Sequence, residues 1–590
     1  MTVSEKISAL RNLMQKKGIN AYIITSSDPH MSEYVPSRWI SREWISGFTG
    51  SAGTVVVTNE KAGLWTDSRY FIQAENQLAG SGIDLFKMGT SNTPTSFEWL
   101  SKELEVDAKV GFDGTCFSVA QTRDLKQSLG NLGVHIIYEF DLIDEIWLDR
   151  SPLPEKAIFD QNIKFAGKSR GEKLTELRKI MKANECNYHF VGSLDDIAWI
   201  FNIRGLDVAY NPLALSYAII GTESAKLYLN IDQLSSDFIK DLEKDNIFIS
   251  NYQQIFNDLN KLPGSVNVLL DVSRTNLMAF NSITANIIEN ENPSQLLKSI
   301  KNDVEIEGIK NAMKKDGIAL TQFFFWLEQN LGKEEMTELS LMNKVYDFRA
   351  KQDAFKDESF GTICGYKKHG AEPHYSTTQE SNVTIKKEGI LLIDSGGQYI
   401  DGTTDITRTI PLGELDKEAK IDYTLVLKGM MQLAMAKFPL GTRGCNIDAL
   451  ARMDLWKHGR NYGHGTGHGV GCFLNVHEGP QSIRQELKEQ AILPGMVTSD
   501  EPALYRPGKY GIRHENLILC KKSESTPFGD FLEFETITLC YFDTKGIIVE
   551  MLTSEEKNWL NTYHKKVFDS LSPELDEKHK NWLKEKTNSI

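Results

Sequence analysis

The stretch LLIDSGGQYIDGTTDITRT, residues 391–409, is the part of the chain around which the rest is organised. A short apolar run ends at Asp394, a glycine-rich turn follows, and residues 403–409 return with many β-branched side chains. This pattern predicts a β-hairpin that holds Asp394 and Asp405 side by side on adjacent strands. Two neighbouring carboxylates repel each other unless a cation lies between them. Aspartate also favours turns beside glycine, so this stretch alone leaves a turn role equally open for both residues.

A second motif combines histidine with glycine. Residues 461–471, NYGHGTGHGVG, place His464 and His468 among five glycines. This glycine density excludes a stable helix, so we expect the backbone to approach another group closely while the imidazoles project from it. His477 follows in the sequence NVHEGP. His374 lies in a predicted loop after a proline, where an ordinary surface histidine is the alternative.

Two further acids come at predicted strand positions. The sequence VTSDEP ends a strand pattern with Glu501. The sequence GIRHENLI predicts a strand on which Arg513 and Glu515 share one face and His514 lies on the other. Glu501 and Glu515 are therefore added to Asp394 and Asp405 as candidate site residues.

Four carboxylates and one imidazole thus form a candidate metal-binding set: Asp394, Asp405, His468, Glu501 and Glu515. Four negative charges match two divalent cations, and a set dominated by oxygen donors favours Mn²⁺, with Co²⁺ or Zn²⁺ also able to bind. Two such ions ~3.5–4 Å apart share a water or hydroxide and polarise a carbonyl. The alternative is that each acid forms a cap, a turn or a salt bridge on its own.

Length and composition restrict the class of protein. The chain has 590 residues and a net charge of −14, which argues against nucleic acid as a partner because phosphate contacts need a basic surface. No apolar run is long enough for a transmembrane helix, and the N-terminus predicts an amphipathic helix rather than a signal peptide. Seven scattered cysteines without a CxxC motif are typical of a reducing compartment, so we expect a cytoplasmic protein.

The order of patterns predicts an α/β (α+β) protein of three parts. Helix and strand patterns alternate over the first ~150 residues, with a loop predicted at 44–53, WISGFTGSAG. Two prolines interrupt the pattern at 150–154, after which LTELRKIM at 174–181 echoes ISALRNLM at 7–14. This echo indicates a diverged duplication, and neither copy carries a cluster with obvious ligand spacing. A long amphipathic helix is predicted over 306–331.

The motifs resemble those of the pita-bread metallopeptidases, which include methionine aminopeptidase, prolidase and aminopeptidase P. The eleven-residue gap from Asp394 to Asp405, the histidine motif and the fourteen-residue gap from Glu501 to Glu515 fit that pattern. IDSGGQYIDGTTDITRT, GHGTGHGVGCFLNVHEGP and GIRHENL are more closely similar to the cytosolic, three-domain type of Xaa-Pro aminopeptidase (aminopeptidase P). SGFTGSAGT, LWTDSRYF and DDIAWIFNIRG look like the N-terminal domains of that family, and WLNTYHKKVFDSL looks like its final helical segment.

The resemblance implies an architecture and an activity. Two related creatinase-like α/β domains, 1–155 and 156–300, would precede a pita-bread catalytic domain at 301–590 that ends in a helical segment. A metal-bridging hydroxide would hydrolyse the bond between an N-terminal residue and a following proline in X-Pro-Y peptides. The implied partners are therefore peptides with proline at position two, and a second copy of the chain in a homodimer.

The resemblance also implies a role for each candidate metal ligand. Asp394 would bind one metal ion, and Asp405 and Glu515 would bridge both. His468 and Glu501 would complete the shell of the other ion. Glu501 would in addition carry the proton of the attacking water.

Five other residues would contact the substrate. His374 and His477 would bind it and stabilise the tetrahedral intermediate, whereas His464, Arg513 and Tyr505 would line the side that receives proline.

Two positions depart from the family pattern, and two alternative functions remain open. Ala503 replaces a frequent glycine and His514 a frequent apolar residue, and we expect both to affect packing rather than activity. A prolidase-like X-Pro dipeptidase shares the same ligand set. A catalytically inactive binding module on the same fold is the alternative of a different class, although such relatives would be expected to lack the ligands.

Overall fold

The computed structural model describes residues 1–590 and divides into two compact units. The first unit comprises residues 1–162 and 168–295, and the second comprises 163–167 and 296–590. In none of the helices is there a stretch with both the length and the apolar character that crossing a bilayer requires.

The first unit contains two six-stranded sheets and a small two-stranded ladder. The strands are β1 (Ala21–Ile24), β2 (Thr54–Thr58), β3 (Ala62–Thr66), β4 (Asp84–Lys87), β5 (Lys109–Gly111), β6 (His135–Ile137), β7 (Phe159–Asp160), β8 (Tyr188–Val191), β9 (Ile203–Arg204), β10 (Tyr217–Gly221), β11 (Ala225–Leu229), β12 (Ile247–Asn251), β13 (Asn267–Leu270) and β14 (Asn286–Glu289).

The two large sheets have the same topology, which confirms the predicted duplication. Their strand orders are β4-β3-β2-β1-β5-β6 and β12-β11-β10-β8-β13-β14. In the first sheet β2 is antiparallel to both of its neighbours and the other pairs are parallel. In the second sheet β10 occupies the place of β2 with the same directions.

Thirteen helices precede residue 300, and their ends follow local capping rules. In α1, Thr2 and Glu5 form a capping box and Gly18 ends the helix at a φ of 64°. The helices are α1 (Val3–Lys17), α2 (Ser41–Ser46), α3 (Phe71–Gln77), α4 (Ser96–Glu103), α5 (Val119–Ser128), α6 (Leu142–Ile146), α7 (Ile163–Ala166), α8 (Arg170–Ala183), α9 (Leu194–Ile200), α10 (Ser236–Lys244), α11 (Ile255–Asn260), α12 (Leu277–Ser282) and α13 (Pro293–Ser299).

The loop predicted at 44–53 is only partly correct. Its first three residues belong to helix α2, which ends at Gly47. Trp44 stacks on Trp147 within this unit, with ring centroids 5.2 Å apart. This packing stabilises a helical turn in a segment whose glycine content had indicated a loop.

The second unit is built from strands β15–β28 and helices α14–α19, together with the short helix α7. The strands are β15 (Phe355–Glu358), β16 (Ile363–Tyr366), β17 (Ile390–Ser395), β18 (Gly397–Tyr399), β19 (Gly402–Thr403), β20 (Ile406–Pro411), β21 (Lys437–Pro439), β22 (Gly467–Gly469), β23 (Glu478–Ile483), β24 (Val497–Asp500), β25 (Ala503–Arg506), β26 (Tyr510–Arg513), β27 (Asn516–Thr526) and β28 (Gly529–Thr536). The helices are α14 (Asp303–Asn330), α15 (Glu338–Arg349), α16 (Lys417–Ala434), α17 (Gly444–Lys457), α18 (Ser554–Leu571) and α19 (Glu577–Lys586).

The predicted hairpin is confirmed and is the centre of a three-stranded sheet, β16-β17-β20. Strands β17 and β20 are antiparallel, with Asp394 opposite Thr407. The connection between them is longer than the glycines suggested, because β18 and β19 form a second small ladder around Asp401. All six residues of each long strand are buried, which explains their apolar and β-branched composition.

The long helix α14 confirms the predicted amphipathic helix. Asn302 and Glu305 form its capping box, and Gly332, at a φ of 79°, follows its end. Helices α14, α16 and α18 contribute to one large apolar core with the hairpin strands. This core holds the β-sheets of the second unit rigidly in place.

The strand predicted to carry both Arg513 and Glu515 is interrupted. Strand β26 ends at Arg513 and pairs with β25, whereas β27 begins at Asn516 and pairs with β24. Glu515 therefore lies at a junction between two sheets. Both side chains still contact Thr407, through its hydroxyl group.

Candidate metal centre

The hairpin places two buried carboxylates at the same end of its strands. Asp394 is 8 % exposed and Asp405 is 3 % exposed. The Oδ1 atom of Asp394 is buried without a hydrogen-bond partner. Glu515 approaches from the neighbouring sheet junction, where Thr407 donates a hydrogen bond of 2.8 Å to its Oε2 atom. Two carboxylates of the hairpin thus lie near a third from a distant sequence segment.

His468 completes this group from the glycine-rich motif. Its Nε2 atom lies 3.5 Å from Asp405 Oδ2 and 3.5 Å from Glu501 Oε1. One potential ligand atom from each of Asp405, His468 and Glu515 lies within 4.8 Å of the others. The close approach depends on glycine, because a Cβ atom at Gly467 would lie 1.9 Å from the carbonyl oxygen of Ser499.

The carboxylates disturb one another electrostatically. Burial raises the pKa of Asp405 well above its ordinary value, and Asp394 and Glu501 raise it further. Burial and then Asp405 raise the pKa of Glu515 in the same way. Burial also raises the pKa of Glu501 to about 7, although Arg513 opposes this shift.

The donor set therefore fits divalent cations. Buried carboxylates that resist ionisation are stabilised when positive charge lies between them. The unpartnered Oδ1 atom of Asp394 and the compact group of Asp405, His468 and Glu515 offer oxygen and nitrogen donors of the kind that Mn²⁺, Co²⁺ and Zn²⁺ accept.

A chain of hydrogen bonds connects Asp394 to the residues predicted to face proline. Arg513 Nη2 lies 2.6 Å from Asp394 Oδ2, and Arg513 Nη1 donates to the Tyr505 hydroxyl at 2.5 Å. That hydroxyl lies 2.9 Å from His464 Nε2. Arg513 is only 2 % exposed. Its side chain contacts Asp394 and Tyr505 and therefore holds both residues in position.

The two remaining histidines border the same group. The rings of His477 and His468 are 4.4 Å apart and nearly perpendicular, at 78°. His374 follows Pro373, whose carbonyl accepts a hydrogen bond of 3.3 Å from Arg513 Nη2. Both His374 and His477 are half-buried.

Arg408 is a residue of this region that the sequence motifs did not identify. It is 2 % exposed, and its Nη1 atom donates a hydrogen bond of 2.6 Å to the carbonyl of Glu515. Its other donors reach the carbonyls of Cys540 and Tyr541 and the hydroxyl of Tyr563. An arginine inside the otherwise uncharged strand ITRTIP is the sequence feature that marks it.

The two departures from the family pattern lie in packed positions. Ala503 is fully buried in β25, opposite Arg513. His514 is fully buried between Tyr423 and Phe542, with ring centroids 4.4 Å and 5.5 Å away. Burial, followed by the charge of Arg408, lowers the pKa of His514 well below its ordinary value.

Comparison with protein-family models matches most of the chain. Residues 307–522 match metallopeptidase family M24, and 530–590 match the C-terminal region of that peptidase family. Residues 6–139 and 149–305 each match a creatinase/prolidase N-terminal domain. With this order of domains, and with the relatives described next, the chain belongs to the M24 metallopeptidases and has the pita-bread fold.

The chain is similar over its full length to particular members of that family. It is 40 % identical over 611 residues to a probable Xaa-Pro aminopeptidase P of Talaromyces marneffei, covering 100 % of this chain and 92 % of that protein. It is 38 % identical to aminopeptidase P2 of Arabidopsis thaliana, covering 98 % and 87 %. The crystal structure of X-prolyl aminopeptidase from Caenorhabditis elegans, described as a cytosolic enzyme with a dinuclear active site, matches with a TM-score of 0.96, 34 % identity and full coverage of both chains.

Proposed function

We propose that this chain is an Xaa-Pro aminopeptidase, a metal-dependent exopeptidase that releases the first residue of a peptide when proline follows it. The observation that carries this proposal is the full-length similarity to Xaa-Pro aminopeptidases, in a chain that retains all five candidate metal ligands. An inactive module on the same fold would have no need to keep these buried carboxylates together.

Two divalent ions, most simply Mn²⁺, would be held by the candidate ligands. Asp394 would bind one ion, Asp405 and Glu515 both, and His468 and Glu501 the other. When bound, the ions polarise the scissile carbonyl and lower the pKa of a water molecule. The predominance of carboxylate oxygens supports Mn²⁺, with Co²⁺ or Zn²⁺ as substitutes.

Glu501 is the proposed carrier of the proton in the reaction. Its carboxylate would accept the proton of the attacking water and deliver it to the proline nitrogen as the peptide bond breaks. The Ser499 hydroxyl, which donates to Glu501 Oε1 at 3.3 Å, would orient the carboxylate for this transfer. The Glu501 side chain is 19 % exposed, so it is largely but not completely shielded from bulk water.

His374 and His477 would stabilise the charge that develops on the carbonyl oxygen. The His477 ring lies 4.4 Å from that of His468, and both His374 and His477 are half-buried; imidazole N–H groups directed at such an oxygen act most strongly where water is excluded. Neither is needed as a metal ligand in this assignment, so their contribution is expected in the chemical step.

The His464, Tyr505 and Arg513 chain would form the side of the site that receives proline. A peptide bond to proline has no N–H, so this side needs no acceptor for that group. Arg513 would act mainly through Asp394 and Tyr505, to which it is hydrogen-bonded. A cytoplasmic setting is supported by the description of the Caenorhabditis elegans enzyme as cytosolic, and a homodimer by the sequence resemblance alone.

The substrate class is tested by parallel assays of Arg-Pro-Pro, Gly-Pro and Met-Ala-Ser with Mn²⁺ present. We expect release of the first residue from Arg-Pro-Pro and far slower cleavage of peptides with alanine in place of proline. Preference for Gly-Pro would make the protein a prolidase-like dipeptidase, and preference for Met-Ala-Ser would overturn the proline site. Chelation should abolish turnover and Mn²⁺ or Co²⁺ should restore it, whereas normal turnover after thorough removal of metal would contradict the two-metal assignment.

A further inference from the structure

A fully buried ion pair lies beside His477 and outside the ligand set. Lys301 Nζ is 2.5 Å from Glu478 Oε1, and each side chain is 1 % exposed. The two residues are 177 positions apart in the sequence. The second carboxylate oxygen of Glu478, Oε2, is buried without a hydrogen-bond partner, so the contact with Lys301 is the one that compensates this charge.

Both partners are fixed to rigid elements of the second unit. The backbone N–H of Lys301 donates to the carbonyl of Gly495 at 3.0 Å, and Asn302, the next residue, caps helix α14. Glu478 opens strand β23 and pairs with Gly469 of β22. A Cβ atom at Gly469 would lie 2.4 Å from the Glu478 carbonyl oxygen, so the two strands approach closely here.

The ion pair therefore fixes the place where two functional imidazoles meet. His468 immediately precedes Gly469, and His477 immediately precedes Glu478. Their rings are 4.4 Å apart. Strand pairing alone is irregular at this point, because the register shifts between His468 and Gly469. A directional contact from Lys301 defines the position of Glu478 where the ladder does not.

We propose that Lys301 is a positioning residue, which acts through Glu478 to hold the His477 imidazole in its catalytic place beside His468. Net stability does not account for the pair, because a buried ion pair is often no more stabilising than apolar residues of similar volume. This inference rests on the proposed role of His477 in the chemical step.

The first test is Lys301→Met in the metal-loaded enzyme, assayed with Arg-Pro-Pro. We expect kcat to fall by about tenfold to a hundredfold, as for small displacements of a catalytic group, and KM to change by less than about threefold. Lys301→Arg keeps the charge and should restore most of kcat. An unchanged kcat in a folded Lys301→Met protein would overturn the proposal.

A matched control removes a lysine from another buried ion pair of the same unit. Lys428 contacts Glu556 at 2.7 Å, and the two side chains are 9 % and 3 % exposed. Lys428→Met should lower the melting temperature, as Lys301→Met also should, but leave kcat unchanged. An equal loss of kcat in both variants would assign the effect of Lys301 to general destabilisation and overturn the positioning role.

A double-mutant cycle with His477→Ala separates the inference from the proposed function. If Lys301 acts through His477, adding Lys301→Met to His477→Ala should not lower kcat further, and an additional tenfold loss would overturn the inference alone. If His477→Ala by itself leaves kcat unchanged, the proposed role of His477 fails instead, and the inference with it. Should Lys301→Met fail to fold, Glu478→Gln replaces it in the same cycle with the same expected outcomes.

Discussion

Two buried aspartates of the second unit, Asp405 and Asp422, differ in what surrounds them. Asp422 in helix α16 is fully buried, yet Arg460, Arg506 and Tyr510 donate hydrogen bonds to it. Burial alone would raise its pKa, but these partners outweigh burial and lower it. Asp405 is buried to a similar extent, and burial together with neighbouring acids raises its pKa well above the ordinary value.

The difference distinguishes Asp422, whose charge the fold compensates, from Asp405, a candidate ligand. An acid that is surrounded by cationic side chains has its charge compensated within the fold. An acid that faces other acids needs compensation from outside the chain, and a metal ion supplies it. The same contrast holds for Asp316, which Arg349 contacts through two nitrogens at 2.7 Å and 3.0 Å.

Neutralising a candidate ligand and neutralising the structural acid Asp422 should give the largest difference in kcat between two variants. We expect Asp405→Asn or Glu515→Gln to lower kcat by about a thousandfold or more, because a metal ion contributes several kcal/mol to the transition state. Asp422→Asn should instead cost about 2 kcal/mol of unfolding free energy with little change in kcat. Steady-state kinetics and denaturant unfolding check both, and full activity of Asp405→Asn would remove the distinction.

Replacing the bordering histidines should have the next largest effect. His374→Ala and His477→Ala are expected to lower kcat by roughly a hundredfold to a thousandfold with little change in KM, because they would act only on developing charge. Metal content, measured by atomic emission, should remain that of the unaltered protein. Loss of metal from His477→Ala would move His477 into the ligand set.

The pH dependence of the stability of the metal-free protein is a third test of the uncompensated acids. The folded-state pKa of Glu501 is raised from 4.5 to about 7, so the folded chain binds protons that the unfolded chain has released. The contribution of these acids to the stability of the metal-free protein should therefore be largest below about pH 4.5. It should be lost as the pH rises through about 7.

Bound metal and a neutral variant are the controls for that pH dependence. Mn²⁺ in large excess over its dissociation constant should raise the stability above about pH 7, by roughly 3–4 kcal/mol at 100–1,000 times that constant. The double variant Asp405→Asn and Glu515→Gln should lose part of the pH dependence. Melting temperatures of the metal-free protein that rise from pH ~5 to ~8 would contradict the arrangement of acids.

His514 should give the smallest effect, although it adjoins the candidate ligand Glu515. Both of its ring nitrogens are buried without hydrogen-bond partners, and its lowered pKa keeps it neutral. His514→Leu removes two unsatisfied polar atoms, so stability should be unchanged or about 1 kcal/mol higher, with kcat within about threefold of the original. A loss of activity comparable to that of Glu515→Gln would give His514 a role in the reaction.

Local patterns were sufficient for the elements that form the site. The apolar run before Asp394 and the β-branched return predicted the β17–β20 pair, and the glycines around His468 predicted a close approach of the backbone, and the structure shows both. The duplication was visible because each copy preserved a helix and strand order. Helix α2 was missed because Trp44 packs on a tryptophan about a hundred residues away in sequence.

Long-range polar contacts were beyond sequence reasoning. Lys301 carries no local motif, and its pairing with Glu478 of the histidine motif depends on how the start of helix α14 and strand β23 pack. The interruption between Arg513 and Glu515 is likewise set by two different partner strands, β25 and β24. The role of each site residue in catalysis stays a prediction, to be decided by the variants described above.

The contacts of Arg408 have a consequence for shortened forms of the chain. Its guanidinium is buried without a carboxylate partner and relies on oxygens of Cys540, Tyr541 and Tyr563, all in the C-terminal region. A protein that stopped before residue 540 would keep every candidate ligand but would lose three of the six oxygen acceptors of this cation, and only those of Thr407, Glu515 and Asn516 would remain. The last 50 or so residues thus supply half of the oxygen atoms that compensate a buried cation, and we expect a fragment without them to be less stable than the whole chain.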